Sequence, residues 1–452
     1  MEERSMTELI FSFDTEDFTS RDNADSIVTE AEILRAEGIK GCFCTVGLLA
    51  KQLKAWGRED VIEALSHHEI GLHTYGHSMH PMLNEYTDID DAFAAIAEVK
   101  RQETEALALI EDATGCKRVF VAVPPGNQKS YAAMYAFAEM GIPIYADTFC
   151  DTDDGRGVYC CGIYHMNYTY LMEDCFFEDN PDLDGVLDEL AKKHHAIVYT
   201  HPHASLTEEC WDILNYDKEN LRPFGDFILS ERRPQSEIDN FYRNMKAFAK
   251  KVKSDERFHI TTYSELAQKL EVENSAERAV TLGDIPEIRR QITESLYPVT
   301  LPRSLSLSDI FLACRALLLG ADKYICTKTY GFLSAPYAAD TAITLTAAEI
   351  RASAADISTD GFLPERIKVG EREIGPADWL RAALAVLDGA ESVRIEPSAA
   401  LPSLDAFPAL KKLRFKGTWR HSDSFEDKYL SDRLRYQSWT MRFREGYSRF
   451  AE

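Results

Sequence analysis

The sequence predicts an α/β protein: a distorted barrel of about seven parallel strands, followed by a smaller, mainly helical domain with an internal repeat. Three observations lead there. Up to about residue 272, short β-rich apolar runs alternate with longer amphipathic stretches. Strand and helix in regular succession imply right-handed crossovers and a parallel sheet. Beyond residue 272, one amphipathic pattern occurs twice, offset by 69 residues.

The strands are expected at Leu9 to Phe13, Gly41 to Val46, Glu69 to His73, Val119 to Val123, Ile144 to Ala146, Ala196 to Thr200 and Phe258 to Thr261. Helical patterns lie between them at Asp25 to Glu37, Asp90 to Ala113, Tyr131 to Met140 and Ile238 to Val252. Seven strands favour a closed arrangement over an open sheet. The stretch EVENSAERAV is a charged connector, and it divides the chain into a domain at 1–272, a repeat-bearing binding module at 273–410 and a basic, aromatic segment at 411–452. The repeat pairs SDIFLACRALLLGAD, from residue 308, with ADWLRAALAVLDGAE, from residue 377. Each copy follows a β-like stretch, YPVTLP or ERIKVG, so each reads as a strand leading into a helix.

Composition bounds the function. A chain of 452 residues suits two or three domains. Fifty Lys and Arg against 75 Asp and Glu leave a formal charge of −25, which repels phosphate backbones and anionic lipid. Nucleic acid is therefore not an expected partner. No membrane span is expected, since the best apolar run, Ile310 to Leu319, is interrupted by Arg315 and falls short of roughly 18 residues. MEERSMTELIFSFD lacks the apolar core of a secretory signal, so a cytoplasmic location is the expectation. The ten cysteines sit in apolar contexts such as GCFCTV and FLACRALL, which suits small buried side chains in a reducing compartment.

In parallel α/β folds the carboxyl ends of the strands form the functional face. The residues there should converge: Asp14, Glu16 and Asp17 after the first strand, His73 and His77 after the third, Pro124 to Asn127 after the fourth, Asp147 after the fifth, His201 and His203 after the sixth. Carboxylates and imidazoles so gathered suit a metal or proton transfer. His73 and His77 are four residues apart, and on a turn of helix both imidazoles would reach one ion. A carboxylate from the acidic cluster would complete a set of two histidines and one acid, with a position left for water.

At these residues the chain, over about 8–270, resembles the polysaccharide deacetylases of the NodB-homology type, carbohydrate esterase family 4. GLHTYGH with the preceding HHEI is similar to the family's GHEIGNHTYSH motif. IFSFDTEDF resembles its first motif, IVYTHPHA its late histidine motif, and RFHITTYSEL the strand and helix that close the domain. The resemblance implies a divalent metal, with zinc expected, held by His73, His77 and either Glu16 or Asp17. It implies Asp14 as general base and His201, aligned better than His203, as the acid. Tyr75, Pro125, Gly126, Asn127 and His203 are expected toward the substrate, with the Gly126 turn offering backbone N–H groups to an oxyanion. Two departures stand out. The acids read Asp14-Thr15-Glu16-Asp17 rather than as an adjacent pair, and on an extended strand Asp14 and Glu16 share a face. The family's arginine before the prolines is Val123 here, so the base must be oriented by another group or be differently tuned.

The implied activity is removal of an N-acetyl group from an amino sugar in a glycan or glycan precursor. Two alternatives stand beside it: hydrolysis of another non-peptide C–N bond in a small amide, and a catalytically impaired glycan-binding protein. DGFLPERIKVGEREIGPADWLRAALAVL has a fainter likeness to the pseudomurein-binding repeat, which would imply a cell-wall polymer as partner; self-association through the repeats is the other reading. A protein kept in the cytoplasm meets a precursor, so a precursor is preferred to finished wall.

Overall fold

The structure is a computed structural model of the chain. It describes residues 6–147, 152, 154–275, 277–359, 361–403 and 419–445. These fall into two compact units: one from 6–156, 165–269 and 419–428, the other from 157–164, 270–403 and 429–445. Of the C-terminal segment 411–452, residues 411–418 and 446–452 lie outside the described residues.

In the first unit all seven expected strands form. They are β1 (Thr7–Thr15), β2 (Cys42–Thr45), β3 (Glu69–Leu72), β4 (Val121–Ala122), β5 (Ile144–Asp147), β7 (His195–Thr200) and β8 (Phe258–Ile260); the short β6 (Tyr170–Leu171) joins them. Every pairing among them is parallel, in the order β5-β4-β3-β2-β1-β7-β6, with β8 beside the first residues of β1. The sheet curls with helices against it into an open half-barrel, a distorted (β/α) barrel.

Burial on both faces explains the composition of β1. Leu9, Ile10, Phe11 and Phe13 alternate between the faces, and all are at most 4% exposed. A parallel strand covered on both sides needs apolar residues at both parities. Phe13 stacks on Phe43 of β2 at 4.4 Å, and Phe11 meets Phe248 of helix α4 (Gln235–Ser254) edge-on at 5.9 Å. That helix turns Ile238, Phe241, Met245, Phe248 and Val252 inward, the spacing of one helical face. Gly71 admits no side chain, since a Cβ there would stand 2.7 Å from Cys44 Sγ and 2.8 Å from Val121 Cγ1. Further helices include α1 (Asp25–Ala36), α2 (Ala92–Thr114) and α3 (Tyr131–Glu139). The structure starts α2 two residues later than the sequence pattern, because the Asp91 side chain caps it by accepting from Ala94 N–H.

Glu30 on α1 is fully buried, with Thr200 donating to one oxygen at 3.1 Å, and burial pushes its carboxyl up to about 8. Between pH 4.5 and 8 the folded chain therefore holds a proton that the unfolded chain gives up, and stability falls as pH rises, by at most about 1.4 kcal/mol per pH unit. Glu30→Gln removes this penalty. Its melting temperature is expected to match the wild type near pH 4 and to exceed it increasingly toward pH 8, as thermal unfolding across that range would show.

The second unit is mainly helical and is built twice from one pattern. The first copy runs β9 (Ala279–Thr281), α5 (Ile285–Glu294), an antiparallel bridge Val299–Leu305, α6 (Leu307–Leu318) and β10 (Lys323–Ile325), with β9 and β10 paired. The second runs β11 (Ile343–Thr346), α7 (Ala347–Ser353), the hairpin β12 (Ile367–Val369) and β13 (Arg372–Ile374), α8 (Pro376–Leu387) and β14 (Ser392–Ile395), with β11 and β14 paired. The later helices keep the offset of 69 to the residue: Asp309 accepts from Ser306 N–H at the start of α6, and Asp378 from Gly375 N–H at the start of α8. The earlier halves sit at an offset of 65, with Thr281–Asp284 matching Thr346–Glu349 as caps. Phe311 and Trp379, one from each later helix, meet at 4.8 Å in the shared core. No helix among the described residues is long and apolar enough to cross a membrane.

Candidate active site

The carboxyl ends of β1, β3, β4 and β7 open onto a cavity of about 360 Å³. Asp14 is the penultimate residue of β1 and Glu16 follows its end; both carboxylates line this cavity, as the strand alternation requires. Glu16 Oε2 lies 3.2 Å from His73 Nε2 and 2.9 Å from His77 Nε2, and all three side chains are nearly fully buried. Zinc–ligand bonds of about 2.0–2.1 Å at tetrahedral angles place donors about 3.3 Å apart, so one carboxylate and two imidazoles stand where a cation's donors would. His73 Nδ1 donates to the Val123 carbonyl at 2.8 Å, which leaves Nε2 as the free donor. The donor set fits a divalent cation.

His77 reaches this centre by a different route from the one its spacing predicts. Residues 73–77 form a tight turn rather than a helical one, with Thr74 at φ 63° and His77 at φ 52°. The turn brings the ring centroids to 5.0 Å, closed by His77 N–H donating to Thr74 Oγ1. His77 Nδ1 has no hydrogen-bond partner among the described residues; the Asp212 carboxylate stands 4.0 Å away and is itself held by Arg420 at 3.0 Å. Glu16 Oε1 accepts from the Trp211 indole at 3.2 Å. Burial raises the Glu16 carboxyl, but His77 and His73 outweigh it and hold it well below the usual range. Burial lowers His73, and Asp14 and Glu16 outweigh that and raise it.

Beside this group lies a second chain of contacts. Asp14 Oδ1 accepts from the Tyr168 hydroxyl at 2.7 Å, and Asp14 Oδ2 is 3.7 Å from His201 Nε2. His201 Nδ1 donates to Glu173 Oε1 at 2.6 Å, and the His201 backbone N–H donates to the same oxygen. Burial lowers the His201 imidazole, yet Glu173, Glu16 and Asp14 hold it well above its ordinary value. The Tyr168 hydroxyl thus holds the Asp14 carboxylate in place.

Asp17 is not part of the gathering. Its carboxylate accepts from Thr19 N–H and hydroxyl and from Asn23 Nδ2, which ties down the turn after β1. Of the residues expected toward the substrate, Gly126, Asn127 and His203 line the cavity, while Pro125 is buried and absent from its lining. Tyr75 lines another cavity, of about 120 Å³, with His77 and Glu103. His80 pairs with Glu85 at 2.9 Å and contacts the Tyr216 carbonyl, away from Glu16. Gly126, at φ 56°, lies under the Trp419 ring, and a Cβ there would meet Trp419 at 2.3 Å.

No family model and no curated protein matches the chain. Solved structures do. A protein assigned as a polysaccharide deacetylase from Mycobacterium smegmatis is 13% identical, with a TM-score of 0.41 over 61% of this chain and 93% of that one. The peptidoglycan deacetylase PdaC from Bacillus subtilis is 14% identical, with a TM-score of 0.33 over 64% and 98%. A 4-alpha-glucanotransferase from Thermococcus litoralis is 12% identical, with a TM-score of 0.41 over 64% and 46%. Matches also include a pseudoenzyme of carbohydrate esterase family 4, at 16% identity and a TM-score of 0.33 over 58% of this chain and 68% of that one. All these scores lie below 0.5, and the functional case rests on this chain's own residues. The likeness of the C-terminal repeat to a pseudomurein-binding repeat finds no support among the matches.

Sequence reasoning missed Tyr168, Glu173, Cys210, Trp211 and Asp212. Glu173 had a signal: it follows β6, and polar residues after a parallel strand belong to the functional face. A strand of two residues is too short for alternation to reveal it.

Proposed function

We propose that this chain is a divalent-cation-dependent hydrolase that removes the acetyl group from an N-acetylated amino sugar of a glycan or glycan precursor. The observation that carries the reading is the Glu16–His73–His77 triangle, with both imidazole Nε2 atoms 2.9–3.2 Å from Glu16 Oε2, set beside Asp14 and a His201 that is backed by Glu173. Glu16, His73 and His77 would hold the cation, with zinc the expected metal, which when bound polarises an acetamide carbonyl and brings the pKa of water from 15.7 to about 7.

The chain's own groups do the rest. Asp14, held by Tyr168, takes the proton of the attacking water. Oxygen adds to the carbonyl carbon, the C–N bond breaks, and His201 Nε2 gives its proton to the leaving amine, so acetate and a free amino sugar depart. Glu173 keeps His201 charged and aimed. Trp419 and the Gly126 turn border the space left for the sugar, and an aromatic face suits a pyranose ring.

The test is acetate release from chitin oligosaccharides and from a nucleotide-linked N-acetylglucosamine, before and after chelation and zinc repletion. Release from either, lost on chelation and restored by zinc, supports the reading. Release from neither, by protein of verified zinc content, refutes it.

A further inference from the structure

Glu16 has two oxygens, and the proposed centre uses one. Oε2 faces His73 and His77, while Oε1 lies 3.9 Å from Cys210 Sγ and 3.9 Å from His203 Nδ1. His203 Nε2 in turn lies 3.4 Å from Cys210 Sγ. One donor atom from each of Glu16, His203 and Cys210 falls within 4.8 Å of the others. We propose that His203, Cys210 and Glu16 Oε1 form a second cation seat, so that the Glu16 carboxylate bridges a two-metal centre.

The spacing suits a soft divalent ion. Zinc–sulfur bonds of about 2.3 Å and zinc–nitrogen bonds of about 2.0–2.1 Å put tetrahedral donors about 3.6 Å apart, close to the His203–Cys210 separation. Thiolate with imidazole selects zinc or cobalt over magnesium. Glu16 and His203 are 3% and 4% exposed, and His203 Nε2, the ring nitrogen that faces Cys210 Sγ, would be the imidazole donor. Trp211 N–H and the Cys210 thiol both donate to Oε1, and the thiol's place there falls to the cation once its proton has left. Cys210 and His203 line the same cavity as Asp14 and His201, so a cation there would face the same substrate. Two-metal hydrolases seat their ions about 3.5–4 Å apart and steady both the attacking and the leaving oxygen. On coordination the Cys210 thiol proton leaves to solvent.

The second seat depends on the proposed first one through Glu16, and cobalt titration of the metal-free full chain separates them. Two equivalents are expected, with a sulfur-to-cobalt charge-transfer band in the near ultraviolet. Cys210→Ser, its thermal unfolding unchanged, should bind one equivalent without the band; a His73→Ala, His77→Ala double variant should keep one equivalent with it. A wild type that binds one equivalent without the band, lost in the double variant, overturns the second seat and leaves the first. One equivalent that needs His73 and Cys210 together overturns the two-seat arrangement in favour of a single four-ligand centre. No binding at all overturns both. The wild-type spectrum decides even where Cys210→Ser fails to fold.

Discussion

Asp14→Asn is expected to lower kcat for acetate release by ~10²- to 10⁴-fold, the range of a general base, with cation content unchanged. Asparagine keeps the shape and still accepts from Tyr168 through its carbonyl oxygen, so the fold around β1 has no reason to move. It has no charge with which to take the proton of water. Asp14 is also not one of the triangle's donors: its hydrogen bond is to the Tyr168 hydroxyl and His201 lies at 3.7 Å, while the donors around Glu16 Oε2 are His73 and His77. Kinetics and elemental analysis on the same preparation check both halves. Loss of the cation along with activity would make Asp14 a ligand rather than a base. Tyr168→Phe should cost less, on the order of 10- to 100-fold, since it removes a single hydrogen bond to a charged carboxylate, worth about 1.5–3 kcal/mol.

Glu173→Gln is expected to move the alkaline limb of the pH–rate profile to lower pH. His201 must carry a proton to protonate the leaving amine, so activity falls as pH rises through the His201 pKa. In the wild type burial pulls that pKa down, while Glu173 first, then Glu16 and Asp14, raise it well above its ordinary value. Glutamine preserves an acceptor for His201 Nδ1–H and removes the charge, so the limb should fall by at least about one pH unit, or about 1.4 kcal/mol of lost imidazolium stabilisation. Below the shifted limb the variant should approach the wild type; above it the deficit should widen tenfold per pH unit until the wild-type limb is reached. The measurement is kcat/KM against pH for both proteins. Superimposable profiles would detach Glu173 from proton transfer.

What the sequence revealed and what it hid have physical reasons. β1 and β7 were legible because strands buried on both faces must be largely apolar at consecutive positions, and Leu9 to Phe13 and Ala196 to Thr200 meet that demand. Asp14, Glu16, His73 and His201 were legible because each lies at or just past the carboxyl end of a strand. The approach of His77 was not: four-residue spacing is shared by a helical turn and by a tight turn with two left-handed residues, and only the backbone at Thr74 and His77 distinguishes them. Asp17 looked equivalent to Glu16 because sequence does not say which of two neighbouring acids a following Thr19 and Asn23 will capture. Trp419 reaches the Gly126 turn from nearly three hundred residues away, and no local pattern encodes such a contact. In the second unit the later helices of the repeat were visible because their offset is constant. Their earlier halves were hidden by the change of offset between Thr281 and Ser306.

Whether Glu16, His73 and His77 grip a cation is tested most directly by elemental analysis of the purified chain and of a His73→Ala, His77→Ala variant, with acetate release followed on the same samples. The expected result is that the variant, folded by its thermal unfolding profile, lacks one cation equivalent per chain and releases no acetate above background. A folded variant with the full cation content of the wild type and undiminished acetate release would contradict it.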